Sequence, residues 1–380
     1  MKLYIIAEER IFSIHIFCSV QCLGEDKGGT LMKVTINGTV YEAEQGQTIL
    51  DVARANGVFI PTICHLAGLT PVGACRVCVV EVEGMRTLVT ACTAPATEGM
   101  SVQTHSQRAL DARRFIVEML VSCHPLDCMT CEKTGDCVLQ NLAYEFGVGS
   151  TGFEGEKHNY PVDSSNPFIV RDYNKCILCQ RCVRACDEIQ GIEAIKNINR
   201  GFETKVATAY DGALQDSNCV FCGQCVQVCP VGALVPKKSL SKGRPWEIEK
   251  VRTTCPYCGV GCQLNLHIKG EQIVSVSAVE DGSPNKGRLC VKGRFGYDFI
   301  YSEDRLKAPL IKENGAFREA SWDEALDLVA TKFKQIISES GPDAIAGVSC
   351  ARSINEDSYQ MQKLFRAVIG TNNIDHCART

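Results

Sequence analysis

The stretch CILCQRCVRAC, Cys176 to Cys186, is answered further along by CVFCGQCVQVCP, Cys219 to Pro230. Each half spaces its thiols C-x2-C-x2-C-x3-C, and the two halves are the only internal repeat in the chain, a duplicated cluster-binding turn and helix. Tetrahedral zinc also takes C-x2-C pairs, but it usually takes two pairs separated by a long loop. Four cysteines packed into eleven residues, twice, read as iron–sulfur ligands.

The Cys229-Pro230 ending resembles the close of a bacterial two-cluster ferredoxin motif, in which three cysteines hold one cubane and the fourth reaches the other. The resemblance implies Cys176, Cys179, Cys182 and Cys229 on one [4Fe–4S] cluster, with Cys219, Cys222, Cys225 and Cys186 on its neighbour. The first half departs from the pattern, with Asp187 where the motif has proline.

At 380 residues the chain has room for several domains, and 45% hydrophobic with 22% charged residues is globular. A net charge of −4 forces no basic face, which argues against a nucleic-acid partner. The 24 cysteines fall in ligand-like runs rather than a disulfide framework. Thiolates kept for metal imply a reducing compartment, so the expected location is the cytoplasm. No run of about 18 apolar residues occurs, and no signal peptide is legible, so no membrane insertion is expected.

Residues 1–31 lack turn logic, caps or a partner motif for Cys18 and Cys22. A purine-rich codon run for Lys27-Gly28-Gly29 would suit a ribosome-binding site before Met32, so 1–31 is expected to be a translated leader. From Met32 the text is orderly. KVTINGTVYEA alternates around Asn37-Gly38, a strong hairpin signal, and Thr48 can cap the helix ILDVARAN, with Gly57 at its end. A hairpin, a helix and a cysteine loop over 32–106 resemble a [2Fe–2S] ferredoxin β-grasp. Its ligands would be Cys64, Cys75, Cys78 and Cys92. The long first gap resembles the front of the complex I large peripheral subunit and its relatives.

Ser106 opens a helix with apolar residues at Leu110, Phe115, Val117, Met119 and Leu120. HPLDCMTCEKTGDC follows, and His124, Cys128, Cys131 and Cys137 could bind zinc by spacing alone. Its position resembles the one-histidine, three-cysteine [4Fe–4S] domain of the same families, here 107–147. Cys123 reads as a packing cysteine. The polar segment 148–165 reads as a linker in which His158 is solvent-exposed. The two-cluster domain spans 166–240.

After the hinge KKSLSKGRPWEIEK, Cys255, Cys258 and Cys262 form C-x2-C-x3-C, and Cys290 follows two alternating strands. This segment, 248–304, resembles the [4Fe–4S] domain of molybdenum or tungsten bis-molybdopterin-guanine-dinucleotide oxidoreductases. The resemblance puts Lys292 between cluster and pterin. Beyond Arg305, Ser321-Trp-Asp-Glu324 reads as a capping box, DAIAGVSC as a buried strand and NEDSYQMQKLFRAVIG as a helix capped by Gly370. That alternation implies the start of a doubly wound parallel sheet over 305–380, incomplete as it stands. The expected fold class is thus α+β multidomain: a β-grasp, a one-histidine cluster domain, a two-cluster ferredoxin, and the start of an α/β molybdopterin oxidoreductase domain.

The ending GTNNIDHCART resembles the approach to the active site of formate dehydrogenases, where selenocysteine or cysteine comes next. No catalytic residue is therefore expected in this chain, and a stop read at a selenocysteine codon directly after Thr380 is the expected cause. Nineteen cysteines and His124 would hold one [2Fe–2S] and four [4Fe–4S] clusters, leaving Cys18, Cys22, Cys123, Cys350 and Cys377. The expectation is the electron relay of a cytoplasmic NAD(P)-linked formate dehydrogenase. No G-x-G-x-x-G fingerprint is present, so the nicotinamide would bind a flavin- and NAD-binding diaphorase-type or hydrogenase-type partner subunit. The alternatives are a complex I large peripheral subunit, an iron-only hydrogenase front and a structural zinc protein.

Overall fold

The computed structural model describes residues 31–377. The leader reading, with Cys18 and Cys22, and the last three residues before any selenocysteine position lie outside the described residues. The chain begins as a hairpin, β1 (Met32–Ile36) and β2 (Thr39–Ala43). Asn37 and Gly38 both take left-handed backbone, φ 53° and 82°, as a type I′ turn requires. The Asn37 amide then ties the turn to Thr104, receiving its backbone N–H at 2.8 Å and donating to its hydroxyl at 2.8 Å.

Helix α1 (Ile49–Ala55) starts at a full capping box between Thr48 and Asp51. Strands β3 (Val79–Val82), β4 (Val89–Thr90) and β5 (Ser101–Gln103) complete a sheet of order β2-β1-β5-β3-β4. Its β1–β5 pair is parallel, and the other pairs are antiparallel. Val34, Ile36, Ile49, Leu50, Val80 and Val102 fill the core, each worth about 1.5–3 kcal/mol of burial.

Helix α2 (Gln107–Ser122) is capped by the Ser106 hydroxyl. Its buried stripe is Ala109, Arg113, Val117 and Val121, a strict i+4 row. Phe115 and Met119, expected inside, are 55% and 46% exposed. Arg113 takes the inward place because its guanidinium donates to the Val79 carbonyl at 2.8 and 3.1 Å. The one-histidine loop follows and ends in α3 (Val138–Glu145).

The linker makes one contact that its polar composition does not announce. His158 is half-buried, stacked on Phe202 at 4.2 Å and near Tyr160 at 5.3 Å, not solvent-exposed. The two-cluster domain is bracketed by the antiparallel pair β6 (Ile169–Arg171) and β9 (Leu234–Pro236). Between them lie α4 (Arg181–Arg184), the hairpin β7 (Lys196–Ile198) and β8 (Lys205–Ala207), and α5 (Gln224–Val228). Asp187 in place of proline lets the first helix run on as a π-turn through Ile189. Pro230 instead forces Cys229 into extended backbone and ends the second helix.

A three-stranded antiparallel sheet comes next, β10 (Glu249–Thr254), β11 (Gln263–Lys269) and β12 (Gln272–Ala278), followed by α6 (Val291–Phe295). The hinge thus ends earlier than its sequence suggests, since Glu249 and Lys250 already belong to β10. Nearly every β10 side chain is polar and exposed, so no apolar alternation betrays this edge strand.

The last segment opens with a hairpin, β13 (Leu310–Glu313) and β14 (Ala316–Glu319), turning at Asn314-Gly315. Helix α7 (Trp322–Ser340) is capped by Ser321, but only half of the expected capping box forms. The Glu324 carboxylate pairs with Arg318 instead of reaching back to Ser321. Strand β15 (Gly347–Ser349), helix α8 (Asn355–Lys363) with its π-turn to Ile369, and β16 (Ile374–His376) make one crossover joining two parallel strands. Only Gly347 of β15 is buried, so the expected buried strand is shorter and more open. Among the described residues, no helix is long and apolar enough to cross a membrane.

Candidate iron–sulfur centres

Every described cysteine is a free thiol. In the β-grasp, Cys64, Cys75, Cys78 and Cys92 are all buried and face one another. Hydrogen bonds from Cys75 and then Cys92 hold the Cys64 thiol far below its usual range. The same contacts, Cys64 first, push Cys75 and Cys92 up. The Cys64 backbone N–H donates to the Cys75 sulfur at 3.3 Å. Arg76, between two of the thiols, takes left-handed backbone at φ 61°, which turns consecutive N–H groups to one side.

His124 is held by its Nδ1, which donates to the Pro125 carbonyl at 2.8 Å. Its Nε2 is buried with no hydrogen-bond partner. Burial keeps the imidazole below its usual pKa, so the ring is neutral and offers a lone pair. Cys137 stands beside Cys131 and Cys128, pushed up by burial, and its sulfur accepts from the Gln140 N–H at 3.5 Å. Gly232 presses on this loop, since a Cβ there would sit 2.8 Å from the Cys131 sulfur. His124 lines one pocket with Cys128 and Cys137, and an orphaned imidazole nitrogen beside these thiols fits a metal-bearing group.

The repeat builds two matching cradles. Leu178 and Gln180 in the first half, and Phe221 and Gly223 in the second, all have φ between 52° and 70°. Backbone N–H groups two residues on serve the sulfurs in each half: Leu178 to Cys176, Arg181 to Cys179, Phe221 to Cys219 and Gln224 to Cys222. The Phe221 contact measures 3.4 Å, and the Ala194 N–H meets Cys186 at 3.3 Å. Such nests of amide dipoles favour anions, the charge state of a thiolate-bound cluster. Cys229 stands with Cys176, Cys179 and Cys182, and Cys186 stands with Cys219, Cys222 and Cys225. Burial pushes Cys176 up to about 11 and Cys179 up to about 12.

In the last set, Cys255 neighbours Cys258, Cys262 and Cys290. Gly293 lies against it, its missing Cβ only 3.4 Å from the Cys255 sulfur. Cys290 caps α6 and is exposed, and Lys292 on the same turn is exposed too. Among the described residues no three such side chains converge on a single-ion site. The fit to iron–sulfur groups therefore rests on which thiols face each other, the amide nests and the orphaned His124 nitrogen. Cys123 ends α2 apart from any set. Cys350 and Cys377 meet each other at 3.3 Å, a pairing invisible across 27 residues of sequence.

Arginines join the sets, and the sequence motifs alone do not show it. Arg184 donates to the Cys64 and Thr70 carbonyls, and Arg181 to the His65 carbonyl at 2.8 Å. Arg244 donates to the carbonyls of Cys131 and Met129. Arg294 donates to the Cys222 carbonyl at 2.9 Å. Arg184, Arg244 and Arg294 each bind a loop of another domain through the carbonyl of a cysteine in one of the sets. The one signal in the sequence is an arginine just behind a cysteine motif, as in CVKGR.

These centres and their succession define an iron–sulfur electron-transfer subunit of an oxidoreductase. The chain matches, in order, a 2Fe-2S iron-sulfur cluster binding domain (29–107), the NADH-ubiquinone oxidoreductase-G iron-sulfur binding region (113–151), the ferredoxin-like domain of NADH-quinone oxidoreductase subunit 3 (166–235), the molybdopterin oxidoreductase Fe4S4 domain (248–302) and the molybdopterin oxidoreductase family (305–380). It is 40% identical over 92% of its length to the NADPH-Fe(3+) oxidoreductase subunit alpha of Geobacter sulfurreducens and to a G-type NADH-quinone oxidoreductase subunit of Rhizobium meliloti, covering 40% of each. A Staphylococcus aureus protein with a provisional formate dehydrogenase name is 34% identical over 91% of this chain and 39% of its own. A solved NAD+-reducing [NiFe]-hydrogenase chain aligns with TM-score 0.53 and 34% identity, covering 56% of this chain and 90% of that one. The chain thus joins, in order, iron–sulfur domains matched in complex I G-type proteins to the first domains matched in molybdopterin oxidoreductases, and its iron–sulfur part is related to a chain of a NAD+-reducing [NiFe]-hydrogenase. It spans about two fifths of the length of the curated relatives it matches.

Proposed function

We propose that this chain is the iron–sulfur relay of a formate dehydrogenase, carrying electrons from a molybdenum or tungsten pterin centre to an NAD(P)-reducing partner. Cys64, Cys75, Cys78 and Cys92 would hold a [2Fe–2S] cluster. His124 with Cys128, Cys131 and Cys137, the two cross-paired sets of the repeat, and Cys255, Cys258, Cys262 and Cys290 would hold [4Fe–4S] clusters. Bound clusters supply one-electron carriers whose potentials follow ligand charge, hydrogen bonds and burial. The chain's residues position them: amide nests stabilise the thiolates, burial excludes water, and arginines hold the Cys64, Cys131 and Cys222 loops. Lys292, exposed two residues beyond Cys290, would meet the pterin, as the family resemblance implies.

The observation that carries this reading is the succession of cysteine sets, three of whose loops are held by arginines from elsewhere in the chain: Arg184 on the Cys64 loop, Arg244 on the Cys131 loop and Arg294 on the Cys222 loop. The formate assignment draws on the Staphylococcus aureus relative and on the sequence resemblance at the chain's end. The partner would be a flavin- and NAD-binding subunit, in keeping with the similarity to a chain of an NAD+-reducing hydrogenase. A second reading, an electron-transfer subunit of a complex I-type NADH dehydrogenase, is favoured by the descriptions matched over 113–151 and 166–235. Anaerobic isolation of the protein with its native partners separates them. Formate reduction of the cluster EPR signals supports the first, whereas reduction by NADH with none by formate supports the second. Iron below about eight atoms per chain removes both.

A further inference from the structure

Arg294 is 3% exposed and sits on α6, four residues beyond Cys290. Its guanidinium crosses to the repeat, donating to the Cys222 carbonyl at 2.9 Å, to Gln227 Oε1 at 2.8 Å and to Gln224 Oε1 at 3.2 Å. Every one of these acceptors is neutral. Among the described residues the ionisable groups that bear on it are thiols, Cys222, Cys225 and Cys290, which would carry negative charge as ligands of a bound cluster. A buried cation without a carboxylate is costly and persists only where other charge compensates it. The fold thus reserves one positive charge for the space between two cysteine sets.

We propose that Arg294 is a positioning residue of the relay, a shared counter-charge that raises the potentials of both the Cys255–Cys290 cluster and the Cys186–Cys225 cluster. A reduced cluster is more negative than an oxidised one, so a fixed cation nearby favours reduction of each. One side chain serving both keeps the two potentials moving together. Its bond to the Cys222 carbonyl also fixes the approach of the two domains. The inference rests on the ligand sets proposed above.

The test is an EPR-monitored redox titration of the full chain with its clusters, comparing wild type, Arg294→Gln and Gln227→Glu. Gln227→Glu keeps the arginine and its contact but pairs it with a carboxylate, so it removes the net charge without opening the junction. Both variants are expected to make reduction of these two clusters at least about tenfold less favourable, ~59 mV for a one-electron couple, leaving the Cys64 and His124 centres unmoved. Gln227→Glu is expected to keep the wild-type thermal midpoint, which a purely structural role would not separate from the potential. Unchanged potentials in Gln227→Glu at full iron content overturn the proposal, even if Arg294→Gln fails to assemble. So does an equal shift in all centres. If wild type itself lacks the two cubane signals, the ligand assignment has failed instead, and iron analysis reveals that directly.

Discussion

Replacing Gly232 with alanine tests how closely the His124 centre is built against the two-cluster domain. The new methyl carbon would lie 2.8 Å from the Cys131 sulfur, with Lys175 Cδ at 3.4 Å and Lys133 Cβ at 3.5 Å. Non-bonded carbons need about 3.5–4.0 Å, so the intrusion on Cys131 is roughly 1 Å. Gly232 has no left-handed backbone, so the effect is steric and not conformational. Overpacking of this kind costs about 1–3 kcal/mol, or roughly 5- to 150-fold in the assembled fraction. The cost falls on one ligand, so the variant is expected to lose about four of its roughly 18 irons, together with the EPR signal of that centre alone. Gly155→Ala, with open space around its Cβ, is the control and should retain full iron. Iron analysis and EPR of the anaerobically purified proteins decide the matter. Full iron with an unshifted signal in Gly232→Ala would refute the reasoning.

His124→Cys replaces a neutral ligand by an anionic one and should lower the potential of that centre selectively, read by redox titration. Burial depresses His267 from 6.5 to about 4, so its neutral form is favoured in the folded state. Its contribution is therefore present above pH 6.5 and is lost as pH falls toward 4. Thermal midpoints should fall over that window in wild type and fall less in His267→Gln; parallel curves would contradict this. Ser321→Ala removes the hydroxyl that accepts the Glu324 N–H at 3.1 Å and should cost about 1 kcal/mol in denaturant unfolding of the last segment.

The local features are legible because their chemistry is short-range. Asn37-Gly38 announces its turn, Thr48 its cap, and the cysteine spacings follow from what one loop can wrap around a cluster. The features that escape a sequence reading share a different cause. Arg113 holds a core position because the Val79 carbonyl lies 34 residues away, and no helical pattern of apolar residues encodes that partner. Strand β10 is hidden because an exposed edge has no apolar face. Asn314-Gly315 carries the same hairpin signal as Asn37-Gly38 but is easily lost in a helix-rich stretch. The arginine junctions span 72 to 120 residues, so their acceptors become visible only once the chain has folded.

The duplicated loops descend from one pattern, yet they no longer accept the same neighbours. Position 180 carries a glutamine, while its counterpart 223 is a glycine whose Cβ would strike the Arg294 side chain. Position 184 is an arginine reaching outward to the Cys64 loop, and its counterpart 227 is a glutamine receiving an arginine from the opposite side. Two modules with the same cysteine spacing thus dock to different neighbours through these two positions. Swapping them would leave each cradle intact and every docking surface facing the wrong way.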